Sequence, residues 1–342
     1  MARGALAIVA FGFAVSSSLG ATITAARVIE CGLDDERSPT VVTGVAISAD
    51  GQSIAVACDD HVVRIVDAAT GQQRAHLAGH VDWVRSVAFS PDGQLLASAG
   101  NDRTVKLWNA ADGAEVFNSP EMSHAIAAVS FHPNGQQLAA AGFCNTLSIL
   151  NTSSGQITQQ LECSSGDVRT VAFSQDGMRM AVAGRDGNIR LWNVSTGALE
   201  RDIPSGHQRI RALAFSPDGK RLAAAGEEIM IHVIDLSSDE QHITLAARPA
   251  KVFAAVFLDG QTLATAGSDD RIRIWDLATR TVTKELVGHT GSVAALACDS
   301  TGTLLVSGGY DTTLRIWNLA EGDTQPSVAR SLDASTPGEA TR

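Results

Sequence analysis

Seven short turn-like segments ending in glycine recur along the chain, and their spacing constrains the fold more than any other feature. They are Ala49-Asp50-Gly51, Pro91-Asp92-Gly93, Pro133-Asn134-Gly135, Gln175-Asp176-Gly177, Pro217-Asp218-Gly219, Leu258-Asp259-Gly260 and Ser300-Thr301-Gly302. Successive glycines lie 42, 42, 42, 42, 41 and 42 residues apart. A second marker keeps the same beat at Val66, Trp108, Leu150, Trp192, Ile234, Trp275 and Trp317. A sequence period of roughly 40–45 residues is the length of one propeller blade. Within a unit, Val84–Phe89, Leu95–Ser98 and Thr104–Trp108 alternate in character and are separated by Asp/Asn/Gly turns. Such alternation at period two predicts a meander of short antiparallel strands. Small residues at Ala97, Ala99, Ala139, Ala141, Ala183 and Ala225 allow close packing near the centre.

The expected architecture is therefore all-β: a seven-bladed β-propeller of four-stranded antiparallel blades over residues 21–319, with no room for a second domain. The last unit stops after its third strand, Thr313–Leu319, so its fourth must come from elsewhere. Residues 21–30, Ala-Thr-Ile-Thr-Ala-Ala-Arg-Val-Ile-Glu, are the candidate that would close the ring and remove open strand edges. Residues 1–20 carry an early Arg3, an apolar run from Ala5 to Val15 and the small residues Ser18 and Gly20, the pattern of an export signal. The apolar run is too short for a stable membrane span. Residues 320–342, rich in Gly, Pro, Ser, Thr and charge, read as a flexible tail.

Composition excludes several classes. With 44% hydrophobic and 18% charged residues the chain is not disordered. A net charge of −11 argues against nucleic acid as a partner. Cys31, Cys58, Cys144, Cys163 and Cys298 form an odd set with no CxxC pair, which speaks against a disulfide scaffold or zinc cluster and suggests small core residues.

Some units carry further residues in register. One has Gly79-His80, then Ser98, Asp102 and Trp108; another has Gly288-His289, Ser307, Asp311 and Trp317. The chain thereby resembles the WD-repeat β-propeller family. The resemblance implies that His80, Ser98, Asp102 and Trp108 form a hydrogen-bonded structural tetrad, and that His289, Ser307, Asp311 and Trp317 form another. The Trp-Asp pair stands intact only at Trp275-Asp276. Blade three has Ala140, Cys144 and Leu150 at the corresponding positions, blade five has His207, Ala224, Glu228 and Ile234, and blade one has Val56 and Val66 beside Asp60. These blades are expected to rely on apolar packing instead. Four lysines against 22 arginines, with closely similar repeats, fit a bacterial source.

His, Ser and Asp are also the residues of a nucleophilic triad. Here they recur with the blades, as structural residues do, whereas an active site needs one copy. The nine histidines show no metal-ligand spacing and there is no phosphate loop. No catalytic, metal or cofactor site is expected. Asp59-Asp60 and Asp269-Asp270 read as solvated turns.

In the family's geometry, partners dock on the face made by the loops entering each first strand and the turns between second and third strands. Carried onto this chain, those positions collect Trp83, Arg85, Phe143, Arg169, Arg185, Arg209, Arg211, Lys251, Phe253 and Tyr310. Arginine and aromatic side chains are the usual anchors of interfaces. The expected function is a non-enzymatic scaffold, monomeric alone, that docks an acidic peptide or protein loop. The alternative is a propeller enzyme or small-ligand sensor using the central channel. The expected location is periplasmic or extracellular, with the cytoplasm as the alternative.

Overall fold

The computed structural model describes residues 21–23, 27–31, 40–163, 166–206, 208–238, 242–247, 250–320 and 327–329. The export segment expected at residues 1–20 lies outside them, as does His207.

Seven sheets follow one another along the chain, each a four-stranded antiparallel meander at its core. Blade one comprises Val42–Ile47, Ser53–Cys58, Val62–Asp67 and Gln73–Ala78, and its innermost strand is the first. The innermost strand of each blade lies beside that of the next, and Val293–Cys298 lies beside Val42–Ile47 to complete the ring. Second and third strands are buried on both faces, so apolar surface is shared between neighbours. Ala55, Ala57, Val63, Ile65 and Leu77 of blade one pack on Val84, Val87, Leu96 and Trp108 of blade two. An equivalent cluster fills each of the seven junctions.

The repeating glycine earns its place at the turn between first and second strands. Gly51, Gly93, Gly135, Gly177, Gly219 and Gly302 have φ between 67° and 73°, the left-handed region that side chains with a Cβ rarely adopt. The unit of 41 residues departs from this. Its turn closes with Leu258 N–H donating to the Thr262 carbonyl, one residue sooner than Ser216 to Arg221.

The last blade is closed by an N-terminal strand. Arg27–Glu30 runs antiparallel to Thr313–Asn318, with Arg27 opposite Ile316 and Glu30 opposite Thr313. Ile29 is fully buried there between blades seven and one. The segment expected to form one strand in fact divides. Ala21–Ile23 pairs in parallel with the outer strand of blade six, Ala21 opposite Lys284, so the N-terminal segment spans two blades. The segment expected to be a loose tail also departs at one place: Ser327–Ala329 adds a parallel strand outside Arg27–Glu30.

Truncating Ile29 removes apolar volume from the junction that holds the ring shut. Ile29→Ala should cost about 3 kcal/mol in denaturant unfolding, and an unchanged midpoint would show that closure does not depend on this strand.

Candidate protein-docking face

The polar residues shared by blades two and seven form connected chains. His80 Nδ1 lies 2.6 Å from Asp102 Oδ2 and His80 Nε2 2.7 Å from Ser98 Oγ, which also accepts from Trp108 Nε1 at 2.8 Å. In blade seven His289 Nδ1 lies 2.9 Å from Asp311 Oδ2 and Nε2 lies 2.7 Å from Ser307 Oγ, with Trp317 Nε1 donating to that oxygen at 2.8 Å. The ionised carboxylate can only accept, so Nδ1 carries the proton; in the neutral ring Nε2 then accepts from the serine hydroxyl, whose oxygen takes the Trp N–H. Both serines are fully buried. A substrate cannot reach a hydroxyl sealed between strands, which separates these chains from a catalytic triad.

The other blades solve the same problem differently. Blade six keeps one link, Trp275 Nε1 to Thr265 Oγ1 at 2.8 Å. Blade four has Val182 where blade two has Ser98, and Trp192 Nε1 has no partner among the described residues. Asp60, Asp186 and Asp269 are held by an arginine four residues on: Arg64 at 2.7 Å, Arg190 at 2.5 Å and Arg273 at 2.5 Å. Asp60 and Asp269 are therefore ion-paired rather than solvated, and blades one, four and six do not rest on apolar packing alone. The signal was present as Asp-x-x-x-Arg across each turn. Blade three is apolar at these positions, with Ala140 and Leu150 buried together. In blade five, His232 Nε2 lies 3.3 Å from Glu228 and Nδ1 lies 2.8 Å from His242.

Burial works to raise the Asp311 pKa, but the hydrogen bond from His289, with bonds from Thr290 and Thr313, holds it at about 2. Asp102 is lowered too, burial again opposed by His80. A carboxylate lowered by folding stabilises the native state above its unfolded pKa, and that contribution disappears as pH falls through the folded value. Wild-type stability should thus fall by about 2 kcal/mol more steeply than that of Asp311→Asn between about pH 4 and pH 2; parallel curves would contradict the assignment. At neutral pH, Asp102→Ala strands a buried imidazole N–H and should cost about 3 kcal/mol. Cys144→Ala loses only a 3.3 Å Sγ contact to the Thr146 carbonyl and should cost less than about 1 kcal/mol. Equal shifts in urea midpoint would sink this ranking.

The entry loops and turns meet on one face of the ring. Entry residue and turn residue are joined by a backbone hydrogen bond in every blade: Asp59 to Val41, Asn101 to Trp83, Phe143 to Ala125, Arg185 to Asp167, Glu227 to Arg209, Ser268 to Lys251 and Tyr310 to Ser292. Two residues beyond each entry position the first strand carries a β-bulge. The bulged residues are Thr43, Arg85, Ala127, Arg169, Arg211, Phe253 and Ala294. A bulge re-aims a side chain out of the ladder, and all seven line one cavity of about 340 Å³ at the channel mouth. Trp83, Phe143 and Tyr310 line it as well, with Trp83 46% and Tyr310 60% exposed. Arg185, Arg209 and Lys251 stand outside this lining, on the surrounding rim.

The arginines are fixed by aromatic rings and by acids of the same face. Arg85 and Arg169 lie 5.0 and 4.2 Å from the centre of the Phe143 ring, and Arg211 lies 5.3 Å from that of Phe253. Arg169 binds Asp167 at 2.6 Å, while Arg209 and Arg211 share Glu227 at 2.9 and 2.8 Å. The face is consequently less positive than its arginines alone suggest. Two-residue spacing puts Asp167 and Arg169 on the same side of an extended strand, so this pairing was readable in principle. Arg85 is different, since its Nε donates to the neutral Asn101 side chain. Burial, then the charge of Arg169, lowers its pKa from the ordinary arginine value.

A second cavity of about 190 Å³ adjoins the first, sharing Thr43, Arg85, Arg211 and Phe253 with it and lined further in by Gly44, Val45, Val87, Leu213, Ala254 and Leu296. No aspartate, glutamate or histidine lines it. Among the described residues, no group of three or more His, Cys, Asp or Glu could hold a metal ion, and no helix is long and apolar enough to cross a membrane.

Residues 41–269 match the family described as IFT122 first beta-propeller, and residues 280–318 match the WD domain, G-beta repeat. The chain belongs to the IFT122 first beta-propeller family. This propeller is also similar to the U3 snoRNP-associated protein-like EMB2271 of Arabidopsis thaliana, 45% identical over 65 residues. That stretch is 19% of this chain and spans 13% of the plant protein's length. A propeller of this family is compatible with a protein-interaction scaffold in general.

Proposed function

We propose that the protein is a non-enzymatic scaffold that docks an acidic peptide or protein loop at the channel mouth. The observation that carries this reading is the ring of bulged residues, which brings Arg85, Arg169 and Arg211 to one cavity beside exposed Trp83 and Tyr310. Guanidinium groups stacked on rings are pre-organised, so little side-chain freedom is lost when a carboxylate binds them. Arg85, held by a neutral amide, is the group best placed to accept a new carboxylate. Asp167 and Glu227 set the register by leaving only part of each paired arginine free for a partner.

An array of peptides of graded charge provides the test. Acidic peptides with one aromatic or aliphatic residue should bind, and basic or neutral ones should not. Binding should weaken as salt is raised from about 0.05 to 0.5 M, because exposed charge pairs are screened. Arg85→Ala should reduce it at least about tenfold, the loss of roughly one charge-assisted bond. The double variant Arg169→Glu, Arg211→Glu should abolish it while the melting temperature stays within a few degrees. Equal binding by wild type and the double variant would refute the proposal.

A further inference from the structure

Blade three lacks a pair of polar side chains that the other six blades keep. In those six the turn between second and third strands carries an acid: Asp60, Asp102, Asp186, Glu228, Asp269 or Asp311. Four residues on, in the third strand, the same blades carry Arg64, Lys106, Arg190, His232, Arg273 or Arg315. Blade three has Cys144 and Ser148 at these two positions. The register agrees, since Ser148 stands opposite Ala140 as Lys106 stands opposite Ser98 and Arg190 opposite Val182. Losing acid and base together strands no charge, but a long side chain is gone from the blade.

That space remains open. A cavity of about 340 Å³ occupies blade three here, walled by Cys144, Ser148 and Ala140 with Met122, Ile126 and Ile157. Sites for small molecules begin at about 300 Å³. The loop arriving from blade two completes the wall and is tied back to that blade: Met122 N–H donates to the Arg103 carbonyl at 2.8 Å, and Glu121 is ion-paired with the Arg103 guanidinium. Exposed His124, Ile157 and Gln160 mark the side that opens to solvent. The cavity shares no wall residue with the one at the channel mouth.

The wall also carries a polar group in want of a partner. Ser148 is 6% exposed and lines the cavity, yet its hydroxyl makes no hydrogen bond to any described residue. A buried hydroxyl left unbonded is destabilising, and a ligand group that bonds it removes the cost. The Cys144 thiol, by contrast, already donates to the Thr146 carbonyl at 3.3 Å. The one carboxylate on the wall, that of Glu121, is taken by Arg103. A charged ligand would therefore be desolvated without a counter-ion, whereas a neutral one is not penalised. The Met122 thioether favours contact with an aromatic ring, and a rigid ring loses less freedom on binding than a flexible chain.

We propose that this cavity binds a small neutral aromatic molecule, of the size of indole, whose single N–H or O–H group bonds to Ser148 while its ring packs on Met122, Ile126 and Ala140. The site is separate from the docking face, so either can fail without the other.

The test is equilibrium dialysis of the full chain with indole, and with benzofuran, which has the same shape but an oxygen in place of the N–H. Indole should bind at one site per chain with a Kd below about 1 mM, and about fivefold more tightly than benzofuran, the worth of one neutral hydrogen bond. Ser148→Ala should erase that preference, leaving the two ligands within about twofold of each other. Bound indole should also slow alkylation of Cys144 by iodoacetamide. The double variant Cys144→Asp, Ser148→Arg restores the pair found in blades one, four and six and should abolish indole binding; if it does not fold, the Ser148→Ala comparison decides. No binding of indole at about 1 mM, equal affinity for the two ligands, or a preference that survives Ser148→Ala would each overturn the proposal. So would unchanged alkylation of Cys144, or undiminished binding by a folded double variant.

Discussion

Neither face of a propeller blade can be left to water, because its second and third strands are apolar on both sides. A blade gains its stability only between two neighbours, and a row of seven would leave two raw faces and two open edges. Closure of the ring is thus the condition on which every other contact depends. It rests on Arg27–Glu30, which completes blade seven and drives Ile29 into the junction with blade one. Parallel additions at Ala21–Ile23 and Ser327–Ala329 extend the outer edges of blades six and seven around the same seam.

Once the ring is closed, repetition supplies rigidity and departures from repetition supply individuality. Every first strand bulges at the same place, so every blade presents one side chain to the channel mouth. In a perfectly regular ring those seven residues would be alike. Here they are threonine, three arginines, phenylalanine and two alanines, and the arginines fall on blades two, four and five. The mouth is asymmetric as a result, with cation–ring stacks on one side and small residues on another. An asymmetric, pre-ordered site on a rigid ring suits recognition of one orientation of a partner.

The fold was legible because blade geometry imposes its own period: a left-handed glycine at φ near 70° and an indole or aliphatic residue at the end of the third strand must recur together. The face was legible for a related reason, since entry and turn residues are bonded to each other in all seven blades. Its charge balance was harder to read. Asp167 and Glu227 count as neighbours of the arginines only when strand spacing and cross-strand pairing are considered together. The division of residues 21–30 between two blades depends on edges presented by residues such as Lys284 and Ile316, far along the chain, which local pattern does not encode.

Hydrogen–deuterium exchange on the protein with and without a bound acidic peptide would address the central claim, that a rigid ring presents its recognition residues at the channel mouth. The account predicts added protection confined to the entry loops and turns around Trp83–Arg85, Asn101, Phe143, Arg169, Arg211 and Tyr310, with the inter-blade strands already protected and unchanged. Protection appearing instead along the outer strands, or loss of protection at the junction of blades seven and one on binding, would contradict it.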